Sequence, residues 1–112
     1  MILLSGILIS ALAYATYADE IKPVKSEEFA DEGSNVTLSC TYSSAYYLYW
    51  YRQYPGSAPQ HIVLIPESRK DDTKSDVDHR FIARVTKDKE KRVDLLLSSA
   101  AVSDSAVYYC AL

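Results

Sequence analysis

Apolar residues recur at every second position along much of this chain. Val36, Leu38, Cys40 and Tyr42 alternate with Asn35, Thr37, Ser39 and Thr41, so one face of the stretch is apolar and the other polar. That is the signature of a half-buried strand. Leu48 and Trp50 share one face of the next segment, with Tyr49, Tyr51 and Gln53 on the other. Phe81, Ala83 and Val85 give a third alternation, and Val93, Leu95 and Leu97 a fourth. Ala106, Tyr108 and Cys110 give a fifth, opposite Val107, Tyr109 and Ala111. Turn-forming runs separate these segments: Asp31-Glu32-Gly33-Ser34, Pro55-Gly56-Ser57, Lys87-Asp88-Lys89 and Ser103-Asp104-Ser105. No stretch keeps a convincing helical period. Short strands with regular turns predict an all-β sandwich of two antiparallel sheets.

The first 18 residues break this pattern. Met1–Ala18 carries no charged side chain, and 14 of its residues are hydrophobic. Interrupted by Ser5, Gly6 and Ser10, it falls short of the roughly 20 apolar residues a spanning helix needs. Small residues at Thr16 and Ala18, or at Ala13 and Ala15, suit signal peptidase, and the polar start at Asp19-Glu20 favours cleavage after Ala18. Residues 1–18 are therefore expected to be a signal peptide, with an uncleaved anchor as the alternative, and residues 19–112 a single domain. No second apolar run is long enough to cross a membrane. Export to an oxidising compartment leads to pairing of Cys40 with Cys110. Closing a loop of about 70 residues stabilises by roughly 4 kcal/mol in the chain-entropy model. Metal ligation would require further Cys or His at short spacing.

Composition narrows the function. The chain has 12 basic and 15 acidic residues, a net charge of −3, and the charges are mixed in sign, which argues against a nucleic-acid binder. Ten tyrosines are present, six of them from Tyr42 to Tyr54. No Gly-x-Ser-x-Gly, Gly-rich phosphate loop or His-Glu-x-x-His occurs, so neither catalysis nor a cofactor is expected. Asp76, Asp78 and His79 form the one cluster resembling a metal or acid/base site, in a hydrophilic stretch that reads as loop and edge strand.

The spacing Cys40…Trp50…Cys110 is the immunoglobulin signature, and Tyr108, two residues before Cys110, falls where that fold places its tyrosine corner. Trp50, Tyr108, Leu38 and Leu95 are the expected core. Beyond this, Trp50-Tyr51-Arg52-Gln53, Tyr54-Pro55-Gly56, Arg80-Phe81 and the terminal run Ser103–Leu112 closely resemble the variable segment of a T-cell receptor alpha (or delta) chain. Arg52 after Trp50-Tyr51 tilts the resemblance away from antibody chains. The resemblance implies a V-type sandwich with strands A to F and without strand G, since the chain stops two residues after Cys110. The strand carrying Cys110 is then expected to present an unpaired edge.

The resemblance also implies a division of surfaces. Tyr51, Gln53, Pro59 and Tyr109 would pack against the variable domain of a beta (or gamma) chain, where aromatic rings supply area and hydroxyls keep polar contact. Ser43, Ser44, Ala45, Tyr46 and Tyr47, with Pro66, Glu67, Ser68, Arg69 and Lys70, would contact a peptide–MHC ligand, and Tyr and Ser suit a paratope. Signalling partners would be reached only through constant and membrane regions absent from this chain. The site of action would be the outer face of the plasma membrane. Arg80 and Asp104 are expected to form a salt bridge near the surface, contributing roughly 0–1 kcal/mol. Asn35-Val36-Thr37 is an N-glycosylation sequon, with Asn35 on the polar face. Lys87–Arg92 is expected to be a solvated turn. Two other classes compete: a self-contained immunoglobulin-type adhesion or co-receptor module, and a fragment of a secreted enzyme with its catalytic residues beyond Leu112.

Overall fold

The computed structural model describes residues 6–10 and 20–112. The strands are β1 (Gly6–Ser10), β2 (Ile21–Pro23), β3 (Glu27–Asp31), β4 (Val36–Tyr42), β5 (Tyr47–Gln53), β6 (Gln60–Pro66), β7 (Thr73–Lys74), β8 (Phe81–Thr86), β9 (Arg92–Leu97) and β10 (Ala106–Ala111). A 3-10 turn at Val102–Asp104 precedes β10. They form two five-stranded sheets, ordered β3-β1-β10-β5-β6 and β2-β4-β9-β8-β7. The five alternating segments all form strands, with their apolar faces between the sheets. In β4, Val36, Leu38, Cys40 and Tyr42 are buried, as their period of two requires. Trp50 and Tyr108 are the largest fully buried side chains, and Cys40 is bonded to Cys110 across the two sheets.

Two turns show why particular residues sit where they do. Pro55 and Gly56 occupy the central positions of a turn closed by Ser57 N–H donating to the Tyr54 carbonyl at 3.1 Å. Gly56 has φ of +75°, the conformation a type II turn demands and glycine tolerates. Gly33 does the same between β3 and β4, with φ of +85° and its N–H bonded to the Ala100 carbonyl at 2.7 Å.

One expectation about strand edges is corrected. β1 lies between β3 and β10. It pairs antiparallel with β3 along its whole length, Gly6 opposite Asp31 through Ser10 opposite Glu27. It pairs parallel with β10 only at Ile9–Ala106 and Ser10–Val107. The Cys110 strand is therefore not bare: its first two residues are covered, and among the described residues no ladder covers Tyr108–Ala111 on that side. All the other ladders are antiparallel. The proposed cleavage point after Ala18 lies outside the described residues. No described helix is long and apolar enough to cross a membrane.

Candidate functional site

The outer face of the β10-β5-β6 sheet gathers the tyrosines. Register sets Tyr51 between Tyr109 on β10 and His61 on β6, and Tyr49 between Ala111 and Leu64. The Tyr49 and Tyr51 rings stack at 6.3 Å, and His61 meets Tyr51 edge-on at 5.6 Å. Leu64 is exposed beside them. His61 reaches this face through a bulge: the β5–β6 register shifts between Trp50 and Tyr51, so Ile62 is an extra residue and both it and Val63 are buried. Simple alternation along β6 cannot anticipate this.

Gln53 also lies on that face, but its amide is already engaged. The Tyr109 hydroxyl donates to Gln53 Oε1 at 2.6 Å, and Gln53 Nε2 donates to the Ser57 carbonyl at 2.9 Å. Pro59 is exposed in the loop leading into β6. Three of the four residues expected on one surface, Tyr51, Gln53 and Tyr109, are thus brought to one side of the sheet, with Tyr49, His61 and Leu64 added.

At the end of the sandwich, two loops meet. The first, expected over 43–47, is shorter than anticipated, because Tyr47 opens β5 and pairs with Pro66. Tyr46 is 89% exposed and Tyr47 51%. In the second, Ile65 and Pro66 belong to β6, so the loop begins at Glu67; Ser68, Arg69 and Lys70 are exposed. A cavity of about 280 Å³ lies among Ser44, Ala45, Tyr46, Tyr47, Tyr49 and Leu112. Aromatic walls with small polar residues between them suit a protein or peptide surface.

The Arg80–Asp104 pair is corrected in depth. The Asp104 side chain is only 3% exposed, so the pair does not belong to the surface class. Arg80 Nη1 and Nη2 each donate to it at 2.9 Å, and the Ala101 N–H donates at 2.8 Å. Arg52 Nη1 stands 3.7 Å away, with its side chain 13% exposed and its guanidinium 5.0 Å over the Tyr54 ring and 5.5 Å over the Phe81 ring. The Tyr108 hydroxyl donates to the Asp104 carbonyl at 2.7 Å, forming the tyrosine corner. Burial pushes the Tyr108 phenol well above the usual tyrosine range. Hydrogen bonds donated to Asp104 and Asp78 hold the Arg80 guanidinium more firmly protonated than usual.

The Asp76, Asp78 and His79 cluster does not converge. Asp78 is committed to Arg80, which donates to both its oxygens, and these bonds hold its carboxyl below the usual range. Among the described residues no group of three or more His, Cys, Asp or Glu could hold a metal ion. Asn35 is exposed at the entry to β4, where its Oδ1 accepts from the Ser99 N–H at 3.4 Å. Arg92, expected in the charged turn, belongs to β9 and covers buried Asp94, to which it donates at 3.1 Å while Ser39 Oγ donates at 2.6 Å. Nothing in the alternation pattern marks Asp94 as buried.

Against known proteins, residues 25–112 match the immunoglobulin V-set domain. The human T cell receptor alpha variable 18 is 33% identical over 110 residues, covering 96% of this chain and 94% of that protein. Human T cell receptor alpha variable 38-1 is 31% identical over 97% of this chain and 93% of its own length. A rabbit (Oryctolagus cuniculus) T-cell receptor alpha chain V region, RL-5, is 39% identical over 72% of this chain and 58% of its own. Among solved structures, a chain from a study of T cell specificity and activation by the superantigen toxic shock syndrome toxin-1 shares the fold. Its TM-score is 0.55 at 21% identity, over 70% of this chain and 68% of that one.

Proposed function

The chain belongs to the immunoglobulin V-set family, among the T-cell receptor alpha variable segments, and from that premise we propose how its surfaces divide the work. It is an antigen-recognition variable segment, a receptor module and an extracellular part of a membrane receptor. It works with a receptor partner chain on peptide–MHC ligands. In our reading the partner is a beta-chain variable domain, or a gamma chain in delta usage, at the outer face of the plasma membrane. Signalling partners are reached through constant and membrane regions. Residues 1–18 are a leader removed on export, and Asn35 carries an N-linked glycan at the end of the sandwich away from the two loops.

The pairing surface is Tyr51, Gln53, Pro59 and Tyr109, extended by Tyr49, His61 and Leu64. One observation carries this assignment: the rings of Tyr49, Tyr51 and His61 form a continuous aromatic face flanked by Tyr109 and exposed Leu64. Such a face is costly to leave in water and well suited to a partner with a polar rim. The antigen surface is carried by the loop pair beyond it, Ser43–Tyr47 and Pro66–Lys70, through their exposed side chains. Tyr51→Asp in a receptor alpha chain built on this segment, co-expressed with beta chains, should abolish assembly while the segment still folds. Undiminished assembly would remove the assignment.

A further inference from the structure

Glu67 stands apart from its neighbours in the second loop. Ser68, Arg69 and Lys70 are exposed, whereas the Glu67 side chain is 17% exposed and both its oxygens are occupied. The Tyr42 hydroxyl donates to Oε2 at 2.9 Å, and Lys87 Nζ donates to Oε1 at 3.1 Å. The Glu67 backbone N–H donates to the Tyr46 carbonyl at 2.9 Å. Three elements meet here: Tyr42 ends β4, Glu67 starts the second loop and Lys87 starts the β8–β9 turn.

The same turn grips the first loop from its other end. Lys91 Nζ donates to the Ser43 carbonyl at 3.2 Å, and the Lys91 carbonyl accepts from the Tyr42 N–H at 3.1 Å. Ser43 N–H also donates to the Glu20 carbonyl at 2.9 Å. The first loop is therefore clamped at Ser43 and at Tyr46, with the mostly exposed Tyr46 ring carried beside the second clamp. Partial burial works to raise the Glu67 carboxyl, but hydrogen bonds from Lys87 and Tyr42 outweigh it and hold it below the usual range. The carboxylate is ionised at neutral pH, and charge-assisted bonds of this kind are about twice as strong as neutral ones.

We propose that Glu67 is a positioning residue rather than an antigen contact, and that Lys87 and Lys91 act through it and through Ser43 to fix the first loop against the second. This rests on the assignment of those loops to antigen, yet its test needs no antigen. The charged β8–β9 turn is thus part of the recognition apparatus without touching the ligand.

Hydrogen–deuterium exchange of a receptor alpha chain built on this segment, at pH 7, tests this. Glu67→Gln and, separately, Tyr42→Phe should speed exchange in the segments 44–47 and 67–69 by about three- to tenfold, as expected when charge-assisted or buried hydrogen bonds are weakened. The β4 and β9 amides should keep their protection. Glu67→Lys with Lys87→Glu should restore loop protection at least partly. Unchanged loop exchange in Glu67→Gln and Tyr42→Phe would overturn the proposal, as would equal acceleration across β4 and β9. Failure of the charge-swapped pair to recover protection would remove Lys87 from it. If the clamp holds but Tyr46→Ala leaves the receptor's antigen response unaltered, the antigen assignment fails while the clamp stands.

Discussion

Removing the Asp104 carboxylate should cost far more than removing an ordinary surface ion pair. Asp104 is almost wholly buried and accepts from Arg80 twice and from the Ala101 N–H, with Arg52 at 3.7 Å. Asp104→Ala would leave Arg52, itself 13% exposed, without the nearest counter-charge and would strand the Ala101 N–H. Breaking a buried pair from one side costs about 3–5 kcal/mol. Against a total stability of about 5–15 kcal/mol that is a large share. Asp104→Asn keeps an acceptor for Ala101 and should fall between the wild type and Asp104→Ala, at about 2 kcal/mol, as expected for loss of charge assistance alone. Replacing Arg52 by Met in the Asp104→Ala background removes the stranded cation and should recover part of the loss. Urea unfolding followed by fluorescence of Trp50, the sole tryptophan, which lies opposite Cys110 in the β5–β10 ladder, measures all three. An Asp104→Ala cost below about 1 kcal/mol, the surface value, would refute the reasoning.

Replacing both Cys40 and Cys110 by Ala, which opens a bridge spanning 70 residues, should cost about 2–5 kcal/mol, read as a lower urea midpoint. Stability should hold as pH falls from 7 to about 4 and decline below that. Glu67, Asp72 and Asp78 have lowered carboxyl pKa values in the fold, so their contribution is complete above the unfolded value near 4 and is lost as pH drops through the folded ones. Asp78→Asn should flatten the acid limb, as measured by thermal melts across that range. Removal of the leader takes away β1, the partner of β3 and of the start of β10, so residues 19–112 on their own should aggregate in light scattering. Appending an extended strand should restore a monomer, and a monomeric, cooperatively melting fragment without it would contradict this.

Much of the sandwich was legible because alternation is a local property. β4, β5, β8, β9 and β10 each declare an apolar face, and Cys40, Trp50, Tyr108 and Cys110 fix which faces meet. The short strands β2 and β3 carry too few apolar positions to show a period. β1 lies in a stretch whose uniform apolar character hides any alternation. The bulge at Trp50 and Tyr51 shifts β6 by one residue, and so His61 joins the tyrosine face.

Charged residues were harder to place. Arg80 and Asp104 were paired correctly, but the buried site also takes in Arg52 of β5, 3.7 Å from Asp104 and lying over the rings of Tyr54 and Phe81. Asp94 is buried because Arg92 and Ser39 cover it from two strands. Glu67 looks in sequence like any charge in a mobile loop. Its inward turn is decided by Tyr42 and Lys87, which lie 25 and 20 residues away along the chain. Partners so distant leave no local periodic trace.

The central claim is that the tyrosines divide into a partner face and a ligand end. Oxidative surface labelling of the tyrosines, in the alpha chain alone and paired with a beta chain, reads that division directly. Pairing should protect Tyr49, Tyr51 and Tyr109 and leave Tyr46 and Tyr47 as reactive as before. Equal labelling of Tyr51 and Tyr109 in the two states, or protection confined to Tyr46 and Tyr47, would contradict it.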